Sequence, residues 1–166
     1  MIRFLDLMVL GMAWLKRKQK VKIGASSPRI NIGSSLVVVD DWINIDLSIN
    51  SLVARRPHWL ISLVYRFTGV KQWCSKQRYV DTLANNRFVF HDIRYGLPFS
   101  ENMVEYIYSS HFLEHLYRPD AEYCLREAFR ILKPNGRIRI CVPDLEYAFD
   151  LYRKGDKETA LKFFFP

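Results

Sequence analysis

Apolar and polar positions alternate along the chain in short runs, and the period changes between strand-like and helix-like stretches. Pro28–Ser35 reads as a short strand ending in a Gly-Ser turn, and Trp42–Asp46 as a second strand ending in an acid. Residues 50–86 carry Arg55, Arg56 and Pro57, an apolar stretch from Trp59 to Phe67 and a polar portion through Arg78, and read as helical pieces. Phe88–Ile93 is a third predicted strand, again closing on an acid. Gly96-Leu97-Pro98-Phe99 breaks the chain before a fourth strand, Val104–Ser109. A helix is predicted from Pro119, with Asp120 in its first turn and an apolar stripe of Ala121, Leu125, Ala128, Phe129 and Leu132. Lys133-Pro134-Asn135-Gly136 predicts its stop, Arg137–Val142 a fifth strand, and Asp144 the cap of a helix running to about Lys154. Strands alternating with helices predict a doubly wound, mainly parallel α/β sheet with helices on both faces. Ligands of such sheets bind beyond the carboxyl ends of the strands, which puts the Gly-Ser turn, Asp46, Asp92 and Ser109–His115 along one edge.

The first 27 residues differ from the rest and are expected to form an apolar, basic helical arm ahead of a domain at 28–166, with an insertion at about 50–86. Met1–Leu15 is mostly apolar but too short to span a bilayer, and its charges lie at the wrong end for a signal peptide. Leu5, Met8, Val9, Met12 and Leu15 follow helical spacing. The arm is expected to dock on the domain, with peripheral membrane contact as the alternative. The net charge of +8 points to acidic partners, yet Arg3, Lys16, Arg17, Lys18, Lys20 and Lys22 concentrate it in this arm against Asp6 alone. No basic surface interleaved with aromatic residues is evident, so nucleic acid is not the expected partner. Cys74, Cys124 and Cys141 are odd in number and far apart, which suits core residues in a reducing, cytoplasmic setting. The 49% hydrophobic and 25% charged content excludes disordered and collagen-like chains.

Three features suggest a nucleoside ligand. Asn31-Ile32-Gly33-Ser34-Ser35 follows a strand, where Gly33 lets backbone approach a ligand and the nearby N–H groups and hydroxyls can meet a carboxylate or ribose. Asp46 ends the next strand, where a carboxylate can accept both hydrogen bonds of a ribose diol. Asp92, between His91 and Ile93, could meet an adenine amino group. A nicotinamide cofactor would require a GxGxxG run that Gly33-Ser34-Ser35-Leu36-Val37-Val38 does not supply. His111 and His115 are four apart and would share one helix face beside Glu114. No third ligand stands at useful spacing, so no metal is expected. Either histidine is a candidate general base toward a hydroxyl or amine.

In order and spacing these segments resemble the methyltransferase type 11 family of class I S-adenosylmethionine-dependent enzymes, most closely the branch found beside sugar and polysaccharide genes. The resemblance covers about residues 29–150. It runs through Ile30–Ser34, Trp42–Asp46, Asp92–Phe99, Tyr108–His115, Arg130–Gly136 and Arg139–Glu146. It implies a Rossmann-like fold, S-adenosyl-L-methionine as cofactor, and a small-molecule or glycan acceptor. Asn31, Gly33, Ser34 and Ser35 would hold the methionine part, Asp46 the ribose, and Asp92 with Ile93 the adenine end. Ser110 and His111 would line the pocket below the transferred methyl. Two positions depart from the family: Ser35 stands where a second glycine is usual, and Asp41 where a glycine precedes the tryptophan. The family also closes its sheet with sixth and seventh strands, so the chain is expected to be truncated at its C-terminus, and the apolar Phe163–Pro166 fits that expectation.

Overall fold

The computed structural model describes residues 4–22, 24 and 28–164, the side chains of 4, 5 and 162–164 excepted. The expectations for Arg3, Leu5 and the Phe163–Pro166 terminus lie outside the described residues or side chains.

Helix α1 (Phe4–Lys16) precedes strands β1 (Arg29–Ile32) and β2 (Ile43–Asp46). Helices α2 (Ile49–Val53), α3 (His58–Phe67) and α4 (Lys76–Asn85) fill the next stretch and lead to β3 (Arg87–Phe90). Then come β4 (Val104–Ser110), α5 (Arg118–Ile131), β5 (Leu132–Cys141), α6 (Leu145–Arg153) and α7 (Lys157–Phe164). Among the described residues the sheet has five strands in the order β3-β2-β1-β4-β5, every neighbouring pair parallel. This is a Rossmann-like α/β fold. The strand order reverses between β1 and its neighbours β2 and β4, so the switch point lies where Gly33 follows β1.

Short β-branched strands suit the centre of such a sheet because both faces are covered. Ile30 and Ile32 of β1 and Ile43 and Ile45 of β2 are buried with Phe99, Val104, Ile107, Cys124, Ala128 and Ile131 in one core. A second core joins Val53, Ile61, Val70, Cys74, Tyr79, Val80 and Leu83, all from the helical stretch at 50–86. Inside it the Tyr79 hydroxyl donates to Asn50 Oδ1 at 2.8 Å, so the buried phenol has its partner. Ser75 caps α4 by accepting from the Arg78 N–H, and Asp144 caps α6 by accepting from the Tyr147 N–H.

Several local expectations are corrected. The third strand ends at Phe90 rather than Ile93. Asp92 instead caps a 3₁₀ turn at Ile93–Tyr95 by accepting from the Arg94 N–H. The fifth strand begins before the stop signal: Leu132 already pairs with Val104, and the register slips across Lys133–Gly136 before Arg137 pairs with Tyr106. Asn135 takes a left-handed φ of 65° in that slip. The buried face of α5 is Cys124, Ala128 and Ile131, whereas Leu125 and Phe129 face solvent. Among the described residues no helix is long and apolar enough to cross a membrane.

Candidate functional site

The site is built at the carboxyl ends of β1, β2 and β3. Leaving β1, Gly33 has φ 69° and donates its N–H to the Ile45 carbonyl at 2.9 Å, turning the chain back over β2. Ser35 is also left-handed, with φ 47°, and its N–H donates to Asp46 Oδ2 at 2.8 Å. The other oxygen, Oδ1, accepts from the Ser48 N–H at 2.8 Å. The Asp46 carboxylate is therefore held by loops on both sides, one N–H to each oxygen.

Ser35 and Asp41, where the resemblance implied glycine, both have positive φ, 47° and 64°. The loop preserves a glycine-like backbone despite the side chains, at a cost of about 1–2 kcal/mol for each such residue. Asn31 lies beneath this loop, not in the pocket. It is buried, and its amide donates to the Val37 carbonyl at 2.9 Å and to Asn44 Oδ1 at 3.2 Å. Asn44 in turn donates to the carbonyls of Trp42 and Arg87. The buried amide pair thus ties the ligand loop to β2 and β3, a role that spacing alone did not suggest.

At the end of β3, His91 is buried and its Nε2 bonds the Gly96 carbonyl at 2.6 Å, which requires the Nε2–H tautomer. Burial lowers its pKa below the ordinary 6.5, outweighing the Gly96 carbonyl and the Asp92 charge, which both favour the proton. An unfolded chain then binds a proton more readily than the folded one. The stabilisation from neutral His91 is complete above pH 6.5 and is lost as pH falls through that value toward the lower folded one. We expect urea midpoints to drop on acidification below pH 6.5, and His91→Gln to remove that part of the decline. An unchanged acid limb in the variant would assign the decline to other groups.

Asp92 is buried and fully engaged by Arg94, whose backbone N–H and Nε donate to Oδ1 and whose Nε and Nη2 donate to Oδ2, at 2.6–3.0 Å. Beyond β4, Ser109 Oγ donates to the Ile32 carbonyl at 3.2 Å and joins the two strand ends. His111 and His115 do not share a helix face, contrary to expectation. His111 is left-handed, φ 51°, and precedes a single 3₁₀ turn at Leu113–His115. Its Nδ1 lies 3.4 Å from Glu114 Oε1. Among the described residues no group of three His, Cys, Asp or Glu side chains could hold a metal.

A pocket of about 240 Å³ opens among these ends. Of the residues singled out in the sequence, Gly33, Asp46, Asp92, Ile93 and His115 line it, whereas Asn31, Ser34, Ser35, Ser110 and His111 do not. Leu47, His91, Arg94, Phe112, Leu116, Tyr117 and Asp120 line it as well and were not anticipated. Position next to Asp92 could have signalled His91; nothing local marks Tyr117, and Asp120 was noted only as the acid in the first turn of α5. The volume falls below the roughly 300–1,000 Å³ usual for ligand sites. The reason is visible at one end: the Phe112 ring packs so closely on Gly33 that a Cβ there would overlap it.

The residues present fit a nucleoside donor. Each Asp46 oxygen uses one lone pair on a backbone N–H and keeps capacity for a ribose hydroxyl. The Ser34 and Ser48 hydroxyls, one residue after Gly33 and two after Asp46, are buried without a partner, although neither lines the pocket. Ile45, Ile93 and Leu116 supply apolar wall for a flat base.

A family model described as "Methyltransferase domain", type 11, matches residues 53–140, more than half of the chain. The match begins after Gly33 and Asp46, so their reading rests on the geometry above. Among curated proteins no match is found. Similar solved structures include the YcgJ protein of Bacillus subtilis, at 17% identity and TM-score 0.40, covering 81% of this chain and 50% of that one. A Methanococcus maripaludis protein classed as an S-adenosyl-L-methionine-dependent methyltransferase is similar at 16% identity and TM-score 0.44, covering 92% and 65%. A Haloferax volcanii protein classed as a methyltransferase, solved with the Trm112 activator, is similar at 16% and 0.43, covering 90% and 63%. The chain thus spans about half to two thirds of the length of these structures. By its family match, the chain belongs to the type 11 methyltransferase domain family, and S-adenosylmethionine is the methyl donor that this membership implies.

Proposed function

We propose that this chain binds S-adenosylmethionine in the pocket at the ends of β1, β2 and β3 and transfers its methyl group to a hydroxyl or amine of a small-molecule or glycan acceptor. The observation that carries the reading is Asp46: a carboxylate at the end of the second strand, fixed by one N–H on each oxygen, beside the left-handed Gly33 turn. Family membership supports the donor. The resemblance to a branch found beside sugar and polysaccharide genes supports a glycan acceptor.

In this reading Asp46 binds the ribose diol, and Gly33, Ser34 and Ser35 hold the methionine part. Asn31 acts indirectly, by anchoring the loop. Ile93 contacts the adenine. Asp92, already neutralised by Arg94, offers only its remaining lone pairs. When bound, S-adenosylmethionine would supply an electrophilic methyl on sulfur, to which an in-line acceptor would bond as the carbon–sulfur bond breaks and the neutral thioether leaves. His115 takes the acceptor proton, a role supported by its position in the pocket wall. Ser110 and His111 contribute only after the Phe112 segment shifts, since the ring covers Gly33 where the methionine part belongs.

The same ring favours a second reading, a module that holds the donor or its demethylated product without turnover. Calorimetric titration with both compounds tests the first step. Micromolar binding is expected, and Phe112→Leu should bind at least as tightly, because its side chain is displaced rather than used. A folded protein that binds neither compound would overturn both readings. Binding without methyl transfer to any hydroxyl or amine acceptor would leave the module.

A further inference from the structure

Helix α1 is apolar on both sides and uses only one. Ala13 is buried and Val9 and Met12 are half-buried, whereas Leu7, Leu10, Trp14 and Leu15 are 57, 39, 53 and 68% exposed. At about 3.6 residues per turn these four fall on one stripe. The stripe differs from the Met8, Val9, Met12 and Leu15 set expected from spacing, because Val9 and Met12 turn toward the body. Asp6 borders this stripe at the start of the helix, and a contiguous apolar patch marks a contact surface. Thirteen residues rise about 20 Å, short of a hydrocarbon core of about 30 Å, so spanning is excluded for this helix.

Positive charge meets the stripe at its C-terminal end, where Arg17 lies against Trp14, whereas Lys16 falls on the opposite, body-facing side of the helix with Val9 and Met12. Lys16 ends α1 and also walls a groove of about 470 Å³ whose other charged linings are Lys20, Lys22, Arg55, Arg56 and Arg87, with no carboxylate among them. Arg87 Nη2 donates to the Lys22 carbonyl at 3.0 Å and holds the basic run against the β3 edge. The Arg17 guanidinium lies 3.9 Å from the centre of the exposed Trp14 ring. The groove shares no residue with the pocket that contains Asp46.

We infer that the exposed stripe of α1 and the basic run that follows it form a docking surface for an anionic phospholipid bilayer, with the helix lying in the interfacial plane. Leu7, Leu10 and Leu15 enter the acyl boundary, Trp14 sits at headgroup level, and Arg17, Lys18 and Lys20 meet lipid phosphates. An aliphatic stripe has no role against a nucleic-acid backbone. A second copy packed symmetrically on the stripe would set two like-charged basic runs against each other. The inference goes beyond methyl transfer and does not depend on it.

The test is sedimentation of the full chain with phosphatidylcholine vesicles, with and without phosphatidylserine, read together with tryptophan emission. Binding should require phosphatidylserine and weaken with salt. A blue shift on binding should disappear in Trp14→Phe. Since each basic residue near such a surface contributes about fivefold, Lys18→Glu with Lys20→Glu should weaken partitioning at least about tenfold. Leu10→Ser with Leu15→Ser should abolish it. All four positions are exposed, and an unchanged urea unfolding curve reports an intact fold. The inference is overturned by no vesicle binding, by binding indifferent to the leucine changes, by tighter binding to an RNA oligonucleotide, or by a dimer that the leucine changes dissociate.

Discussion

Replacing Asp46 by alanine is expected to weaken S-adenosylmethionine binding by about a hundredfold or more, because two hydrogen bonds from a ribose diol to a charged acceptor contribute about 1.5–3 kcal/mol each. The same change frees the N–H groups of Ser35 and Ser48, which the carboxylate now holds at 2.8 Å each. Part of the loss therefore comes from a loosened loop. Asp46→Asn separates the two effects: its amide oxygen can still accept one N–H, so it should lose less than alanine does. Titration calorimetry on both variants checks this, with unfolding curves to confirm that each remains folded. A loss within about threefold for alanine would remove Asp46 from the donor site.

Phe99→Ala is expected to destabilise the fold by about 3–5 kcal/mol, the range for truncating a buried phenylalanine. Phe99 is fully buried in the core beneath β1, β2 and β4. Its carbonyl accepts from Arg130 Nη1 at 3.0 Å, while Glu127, paired with Arg130, accepts from the Leu97 N–H at 2.8 Å. The Gly96–Phe99 segment is thus a plug driven into the sheet and clamped from α5. Against a net stability of about 5–15 kcal/mol, such a loss lowers the urea midpoint sharply and leaves the variant near its unfolding threshold at moderate temperature. A change below about 1 kcal/mol would mean the plug does not carry core packing.

Much of the site was legible in the residues. Gly33 at a strand end, Asp46 at the next and Asp92 just after the third were legible as neighbours along one sheet edge, and all three line one pocket. Other assignments failed for identifiable reasons. Asn31 lies next to the loop in sequence, but a strand's alternation turns its side chain under the loop, where Asn44 and the Val37 carbonyl engage it. His111 and His115 at a spacing of four invited a helix, yet the residues between them form one 3₁₀ turn after a left-handed His111. Leu125 and Phe129 matched a helical period equally well as Cys124 and Ile131, and periodicity cannot say which of two apolar stripes meets the sheet.

What the amino-acid order determined by itself was local: where strands and helices alternate, where Asp144 caps, and where glycine and proline interrupt, because those depend on backbone preferences within a few residues. Left-handed backbone at Ser35 and Asp41, the buried Asn31–Asn44 amide pair and the Phe112 ring over Gly33 were decided only when distant segments met. Burial, partnership and strain are properties of that meeting, since the energy that holds Ser35 at φ 47° comes from Asp46 on the neighbouring strand.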